Sequence, residues 1–222
     1  MSVQVELLAM TPDPERVIEL AARTSYKSFH RMGEGSAPAL IRKLIRSGHE
    51  SVLEHAYATF RIRGGSRAFT HQLVRHRLAS YTQESQRYVD EAGFEYVTPP
   101  SVQGNPEALK VFGEAMEVAR EAYRKLRELG VPKQDARFVL PNATTSEIVV
   151  SANFREWRHI FSLRCHPSAQ WEIRKICLEI LKILKEKAPS VFEDFRIDEE
   201  RNAAWREHEG GEAVRAEEDK DR

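Results

Sequence analysis

Residues 56–88 read AYATFRIRGGSRAFTHQLVRHRLASYTQESQRY. They hold a strand, a helix and an arginine-rich run in succession. From Ala56 to Arg63 the chain alternates, with Ala56, Ala58, Phe60 and Ile62 on one side and Tyr57, Thr59, Arg61 and Arg63 on the other. Period-two alternation is the pattern of a strand with one buried face. Gly64-Gly65 is expected to end it, and Ser66 to cap a helix running to about Val74. The run from Arg75 to Tyr88 then brings three arginines, one histidine and two serines together. Arginine forks bind phosphates and carboxylates bidentately, and serines add small hydroxyl contacts. The run is built to hold small anions.

On the N-terminal side, Val3–Met10 reads as a strand and Asp13–Thr24 as a helix, with Asp13 as cap and Pro14 in the first turn. Residues 31–37 form a Gly-rich loop, and Pro38–Ser47 returns to a helix that ends at Gly48. On the C-terminal side, Phe94–Val97 reads as a short strand stopped by Pro99-Pro100. Pro106–Leu129 reads as a long helix with Leu109, Phe112, Met116, Ala119, Tyr123 and Leu126 on one stripe. A helical turn follows at Lys133–Phe138, then a strand at Glu147–Asn153 and a helix at Arg155–Leu163. A last helix, capped by Ser168, runs to about Lys187. Helices and strands interleave without a regular βαβ rhythm. The expected fold is therefore α+β, a single domain with a central, mainly antiparallel sheet flanked by helices. The catalytic part is placed at residues 1–197. A charged tail at 198–222 is read as a frayed helix or disordered, with Trp205 as a docking point.

Composition narrows the class. The chain has 222 residues, 41% of them hydrophobic, and no apolar stretch approaches the ~20 residues of a membrane helix. The start, MSVQVELLAM, lacks a basic segment, so no secretory signal is read there. Two cysteines, Cys165 and Cys177, are too few for a disulfide scaffold and fit a reducing cytoplasm. No CxxC or HExxH pattern occurs, and His49 and His55 stand six apart, so no metal is expected. Net charge is zero, but residues 198–222 hold 10 acidic and 5 basic residues, leaving 29 basic and 24 acidic in the rest. A mildly basic body suits small anionic ligands better than nucleic acid or membrane.

The arginine-rich run has a fixed grammar: Arg75-His76-Arg77, two residues, Ser80, four residues, Ser85, one residue, Arg87-Tyr88. In this it resembles the flavin-dependent thymidylate synthases. The resemblance extends to Ala21-Ala22-Arg23-Thr24-Ser25-Tyr26, to Gly48-His49-Glu50-Ser51-Val52-Leu53-Glu54-His55, and to Asp135-Ala136-Arg137-Phe138-Val139-Leu140-Pro141. It continues through Asn153–His159, Leu163-Arg164 and Ala169–Ile173, covering roughly residues 15–195.

The resemblance implies methylation of dUMP to dTMP, with methylenetetrahydrofolate as carbon donor, FAD as cofactor and NADPH as reductant. It also implies a homotetramer with shared sites. Position by position, it puts Ser51, Arg75, His76, Arg77, Gln83, Asn153, Phe154, Arg155 and His159 at the flavin, with His49 and Ser25 as further candidates. It puts Gln72, Leu73, Val74, Arg75, Gln83, Glu84, Ser85, Gln86, Arg87, Arg137 and Arg164 at the nucleotide. Arg164 is the residue expected to activate the substrate. A guanidinium stays protonated, so it would act on uracil by stabilising an anion at N3, which enriches C5 in electrons. Two departures stand out. Many members have Asn-Glu where this chain has Thr82-Gln83, so a carboxylate role there is lost unless Glu84 takes it. Some have Asn at the position of His159.

Other readings compete. Cys165, beside Arg164, is the thiol that a cysteine-dependent methylase would need. Ser85 as a nucleophile would need an activating base that the sequence does not show. Arg158 and Arg174 read as a solvated helix face. A nucleic-acid-binding module would use the same arginine run on phosphates, and a flavin- or nucleotide-binding relative could have lost methyl transfer.

Overall fold

Alternating burial builds the sheet. The structure, a computed structural model, describes residues 3–206. Strand β1 spans Gln4–Met10, β2 Tyr57–Ser66, β3 Ser80–Gln83 and β4 Thr145–Asn153, in the order β1-β2-β4-β3. Ala58, Phe60 and Ile62 of β2 are buried, as are Ile148, Val150 and Ala152 of β4, which is the face the alternation assigns. The fold is α+β with an antiparallel sheet, as expected.

Helices α1 (Pro14–Thr24), α2 (Ser36–Arg46), α3 (Arg67–Leu73), α4 (Pro100–Gln103), α5 (Pro106–Glu128) and α6 (Lys133–Ala136) precede β4. After it come α7 (Phe154–Arg164), α8 (Trp171–Lys187) and α9 (Pro189–Phe192). Strands β5 (Phe195–Asp198) and β6 (Ala203–Arg206) close an antiparallel hairpin, Phe195 opposite Arg206.

Several boundaries differ from expectation, each for a local reason. Gly64-Gly65 does not end β2. Gly64 takes φ 76° inside the strand, a conformation open to glycine that lets a strand kink and continue. Phe94–Val97 forms only an isolated bridge, Tyr96 to Thr144. Asp13 stands at the N-cap of α1 in a left-handed conformation, without a side-chain cap bond. Helix α8 is capped not by Ser168 but by the Gln170 side chain, which accepts from the N–H groups of Glu172 and Ile173. Ser168 instead pairs with His166 Nδ1 at 2.7 Å. The first part of the charged tail is ordered as β6, where Ala204 N–H donates to Cys165 O at 2.8 Å. The rest of the tail lies outside the described residues.

The chain divides into two compact units. Among the described residues, one holds residues 3–4, Arg61–Arg75 and Tyr81–Val149; the other holds Val5–Phe60, His76–Ser80 and residues 150–206. In the second unit Phe161 centres an aromatic cluster, with ring centroids 5.7 Å from Trp157 and 5.9 Å from both Phe192 and Phe195. Trp157 donates its indole N–H to Ala58 O at 3.1 Å, so its polar edge is satisfied inside the core. In the first unit Phe69, Leu73, Phe94, Met116 and Tyr123 are buried.

Candidate active site

In the unit that holds Arg75, Ser66 Oγ accepts from Phe69 N–H at 3.0 Å and starts α3. The Leu73 carbonyl accepts from Tyr81 Oη at 2.8 Å, which pins the end of α3. Leu73 is buried, while Val74 and Arg75 are exposed. Gln72 donates to Ala68 O at 3.4 Å. Gln83 Nε2 donates to Thr70 Oγ1 and Ser146 Oγ, both at 3.0 Å, so its amide ties β3 to α3 and β4. Glu84 is equally committed. Its carboxylate accepts from Glu147 N–H at 3.1 Å and its own N–H donates to Glu147 O at 2.8 Å. After it the chain turns on Ser85, whose carbonyl accepts from Tyr88 and Val89 N–H at 3.0 Å. Gln86 is buried and Arg87 exposed, its guanidinium 5.6 Å from the Tyr88 ring. Arg137, which opens the 3-10 turn Arg137–Val139, donates Nε–H to Gln134 O at 3.0 Å.

Two residues of this unit escaped the sequence reading. Arg67 has its pKa lowered by burial and by the charge of Arg137, with Glu91 and Glu84 opposing. Glu91 is 6% exposed. Burial, with help from Glu84, raises its carboxyl to about 7. Spacing gave no hint of either, because their neighbours come from distant parts of the chain.

In the other unit, Asn153 Oδ1 accepts from Glu156 N–H at 2.8 Å and starts α7. One face of α7, with Phe154, Trp157, Ile160 and Phe161, is in the core. Phe154 packs its ring on Phe192 at 5.2 Å, so it can meet a ligand only through its backbone. Arg155 and His159 are exposed, and Arg155 pairs with Glu54. Ser51 is exposed on the 3-10 turn Glu50–His55, and Arg77 is exposed beyond His76. His49 and Ser25 stand at the N-cap of that turn and the C-cap of α1.

His76 is the electrostatic centre of this group. It is 5% exposed, and Arg164 Nε donates to its Nε2 at 2.9 Å. The His159 ring stands 5.8 Å away, edge-on. Burial, the Arg164 charge and His159 together lower its pKa to about 4. The imidazole is neutral at pH 7, so the Arg-His-Arg triplet carries two charges and one acceptor. Glu156 faces it from α7, with Oε1 3.8 Å from Nδ1. The Asn153-x-x-Glu156 spacing reads in sequence as a capping box, which hides this second role.

Two expectations for arginines are overturned. Arg158 is not solvated but fully buried, held by Asp194 and Glu50. Arg174 folds back onto the carbonyls of Pro167 and Ala169. Both cysteines are buried. Burial pushes the Cys165 thiol well above its ordinary pKa and that of Cys177 to about 12, the reverse of what a nucleophile needs. Among the described residues no three His, Cys, Asp or Glu gather as a metal site, and no helix is long and apolar enough to cross a membrane. A groove of about 410 Å³ lined by Arg16, Met32, Gly33 and Pro38, among others, includes none of the residues above.

Against known proteins, residues 6–190 match the family model described as "Thymidylate synthase complementing protein". The chain is 48% identical over 200 residues to the flavin-dependent thymidylate synthase of Geobacter sulfurreducens, covering 86% of each chain. It is 42% identical over 190 residues to that of Pyrococcus abyssi, covering 81% of this chain and 78% of the other. Among solved structures, the UMP/dUMP methylase PolB from Streptomyces cacaoi, bound with 5-Br dUMP, matches with a TM-score of 0.76 and 30% identity, over 86% of this chain and 93% of that one.

Proposed function

The chain belongs to the flavin-dependent thymidylate synthases, methyltransferases that convert dUMP to dTMP, and from that membership we propose that it does so with FAD, methylenetetrahydrofolate and NADPH. The observation that carries the proposal is the Arg164–His76 contact. The Arg164 Nε–H is held at 2.9 Å by a neutral imidazole, which orients the guanidinium without adding a second charge beside it.

The residues present fit a flavin with an anionic pyrophosphate. Arg77, Arg155, Ser51 and His159 are exposed donors of one unit, and charge-assisted hydrogen bonds from such groups are the ordinary means of holding phosphates. Asn153 and the Phe154 backbone would complete that set; the family resemblance also assigns Arg75 and Gln83 to the flavin. When bound, FAD supplies the hydride, and the protein's part is orientation and electrostatics. Arg164 stabilises negative charge at uracil N3 and the adjacent carbonyl, which raises electron density at C5 for attack on the carbon donor. The turn from Ser85 to Arg87 offers a hydroxyl, backbone N–H groups and a guanidinium to the nucleotide phosphate. Gln72, Leu73, Val74, Arg75, Gln83, Glu84, Gln86 and Arg137 complete the nucleotide's surroundings. The reading includes a cytoplasmic homotetramer with shared sites. It is supported by the large apolar side chains of Tyr88 and Phe138, which are 74% and 83% exposed in the single chain and adjoin Arg87 and Arg137 in the sequence.

The protein, incubated with FAD and desalted, is expected to keep a flavin spectrum that shifts on adding dUMP. With the carbon donor and NADPH it forms dTMP. Arg164→Ala should keep the flavin and lose nearly all dTMP formation; near-normal turnover would remove the activation role. A colourless protein that binds oligonucleotides in a salt-dependent way would sink the proposal in favour of a nucleic-acid module.

A further inference from the structure

Glu156 has no part in the mechanism above, yet its side chain is 5% exposed and turned to His76. An arginine Nε only donates. The 2.9 Å contact from Arg164 Nε therefore makes His76 Nε2 the acceptor. A neutral imidazole whose Nε2 is bare carries its proton on Nδ1, and Nδ1 is the atom that faces Glu156 Oε1 at 3.8 Å. That separation is longer than a direct hydrogen bond, but between buried groups it leaves a strong electrostatic preference. The other tautomer would oppose a bare Nδ1 to the carboxylate and an Nε2–H to the Nε–H of Arg164. Both contacts would become repulsive at once.

We infer that Glu156 is a positioning residue for Arg164: its buried oxygens select the Nδ1–H form of His76, which then accepts from Arg164 Nε and fixes the plane of the guanidinium. The inference rests on the proposed role of Arg164 for its effect on rate, while the tautomer itself stands on geometry alone. Asn153 serves the arrangement by capping α7 at the Glu156 N–H, which sets the first turn of the helix and so the start of the Glu156 side chain. His159, one helical turn on from Glu156, packs on the edge of the same imidazole.

The test is nitrogen-15 NMR of the imidazoles in the flavin-loaded protein, with His76 assigned by its loss in His76→Asn, followed by steady-state kinetics. The wild type is expected to show His76 neutral, with the proton on Nδ1 and Nε2 bare. Glu156→Leu, which keeps bulk and removes both acceptor oxygens, should show mixed tautomers. Its kcat should fall at least about tenfold, the direction seen when a catalytic histidine loses its orienting carboxylate, with the KM for dUMP within about twofold. Glu156→Gln, which restores an acceptor oxygen, should recover the single tautomer and most of the rate. A wild-type His76 protonated on Nε2 would overturn the inference without any variant. So would a Glu156→Leu protein with unchanged tautomer and rate. If the tautomers behave as expected while the wild type forms no dTMP, the function proposal fails and the selection of the tautomer by Glu156 stands.

Discussion

Replacing Arg158 by methionine should cost the protein about 3 kcal/mol. The guanidinium is fully buried. It donates to both carboxylate oxygens of Asp194 at 2.7 Å, to Glu50 at 3.2 Å and to the Val191 carbonyl. Its Cζ lies 5.3 Å from the Phe195 ring, which Arg206 approaches at 5.5 Å. Burial works against the charge, but Asp194 and Glu50 outweigh it and its pKa is raised. Removing one partner of a buried pair typically costs about 3–5 kcal/mol, because the other charge is left uncompensated. Here Asp194 and Glu50 keep 20% and 17% exposure, so both recover some water and the lower end of that range applies. Arg206, 3.6 Å from Glu50, compensates only the second carboxylate. For a chain of this size the melting temperature should drop by roughly 6–12 °C. Urea unfolding followed by tryptophan fluorescence, at fixed flavin concentration because a bound ligand shifts the equilibrium, measures it. Arg158→Lys, charged but without the planar fork, should fall between. A double-mutant cycle of Arg158→Met with Asp194→Leu should return a coupling of about 2 kcal/mol. A loss under 1 kcal/mol, or no coupling, would refute the view that this cluster holds α7 to the C-terminal hairpin.

Ser85→Ala should raise the KM for dUMP several-fold and leave kcat largely intact; loss of chemistry with dUMP saturating would restore Ser85 as a nucleophile. Glu91→Gln tests a pH effect. The folded carboxyl titrates at about 7 and the unfolded one near 4.5, so between these values the folded state binds more protons and stability falls as pH rises. At pH 8 the Gln variant should be the more stable by up to on the order of 3 kcal/mol, and the gap should close by pH 4.5; melting curves at both pH values that run parallel would disprove it. Cys165→Ala should keep dTMP formation, since a buried thiol with a raised pKa supplies no thiolate; an inactive but folded, flavin-loaded variant would reverse that conclusion.

Much of the fold was readable because local signals agreed with tertiary demand. The alternation from Ala56 to Ile62 named the buried face of β2, Pro14 and Gly48 marked helix ends, and the spacing of Met116 and Tyr123 named the buried side of α5. Failures came where a long-range partner decided. Gly64-Gly65 looked like a stop, but sheet pairing carried β2 to Ser66. Asp198–Arg206 reads as part of a frayed or disordered tail with Trp205 as a docking point, but Ala203 and Ala204 are buried and the hairpin is anchored on Cys165. Arg158 reads, with Arg174, as part of a solvated helix face. Nothing local separates it from Arg155, because the carboxylate that holds it most closely, Asp194, lies 36 residues away.

The same contrast explains the candidate site. A motif read as a string treats Arg75, His76 and Arg77 as three basic residues of one kind. The backbone turns after α3, so that Arg75 and Arg77 are exposed and His76 is buried. Once inside, the imidazole cannot keep a proton that would add charge beside Arg164, and it becomes the acceptor that orients that guanidinium. The two outer arginines stay at the surface while the middle residue turns to the protein. A lysine at the middle position would put a second cation against Arg164, and an aliphatic residue would leave Arg164 Nε without its acceptor. The chemistry of the triplet thus depends on an inequality of burial between neighbours, which residue types alone do not encode and which the path of the chain after Leu73 imposes.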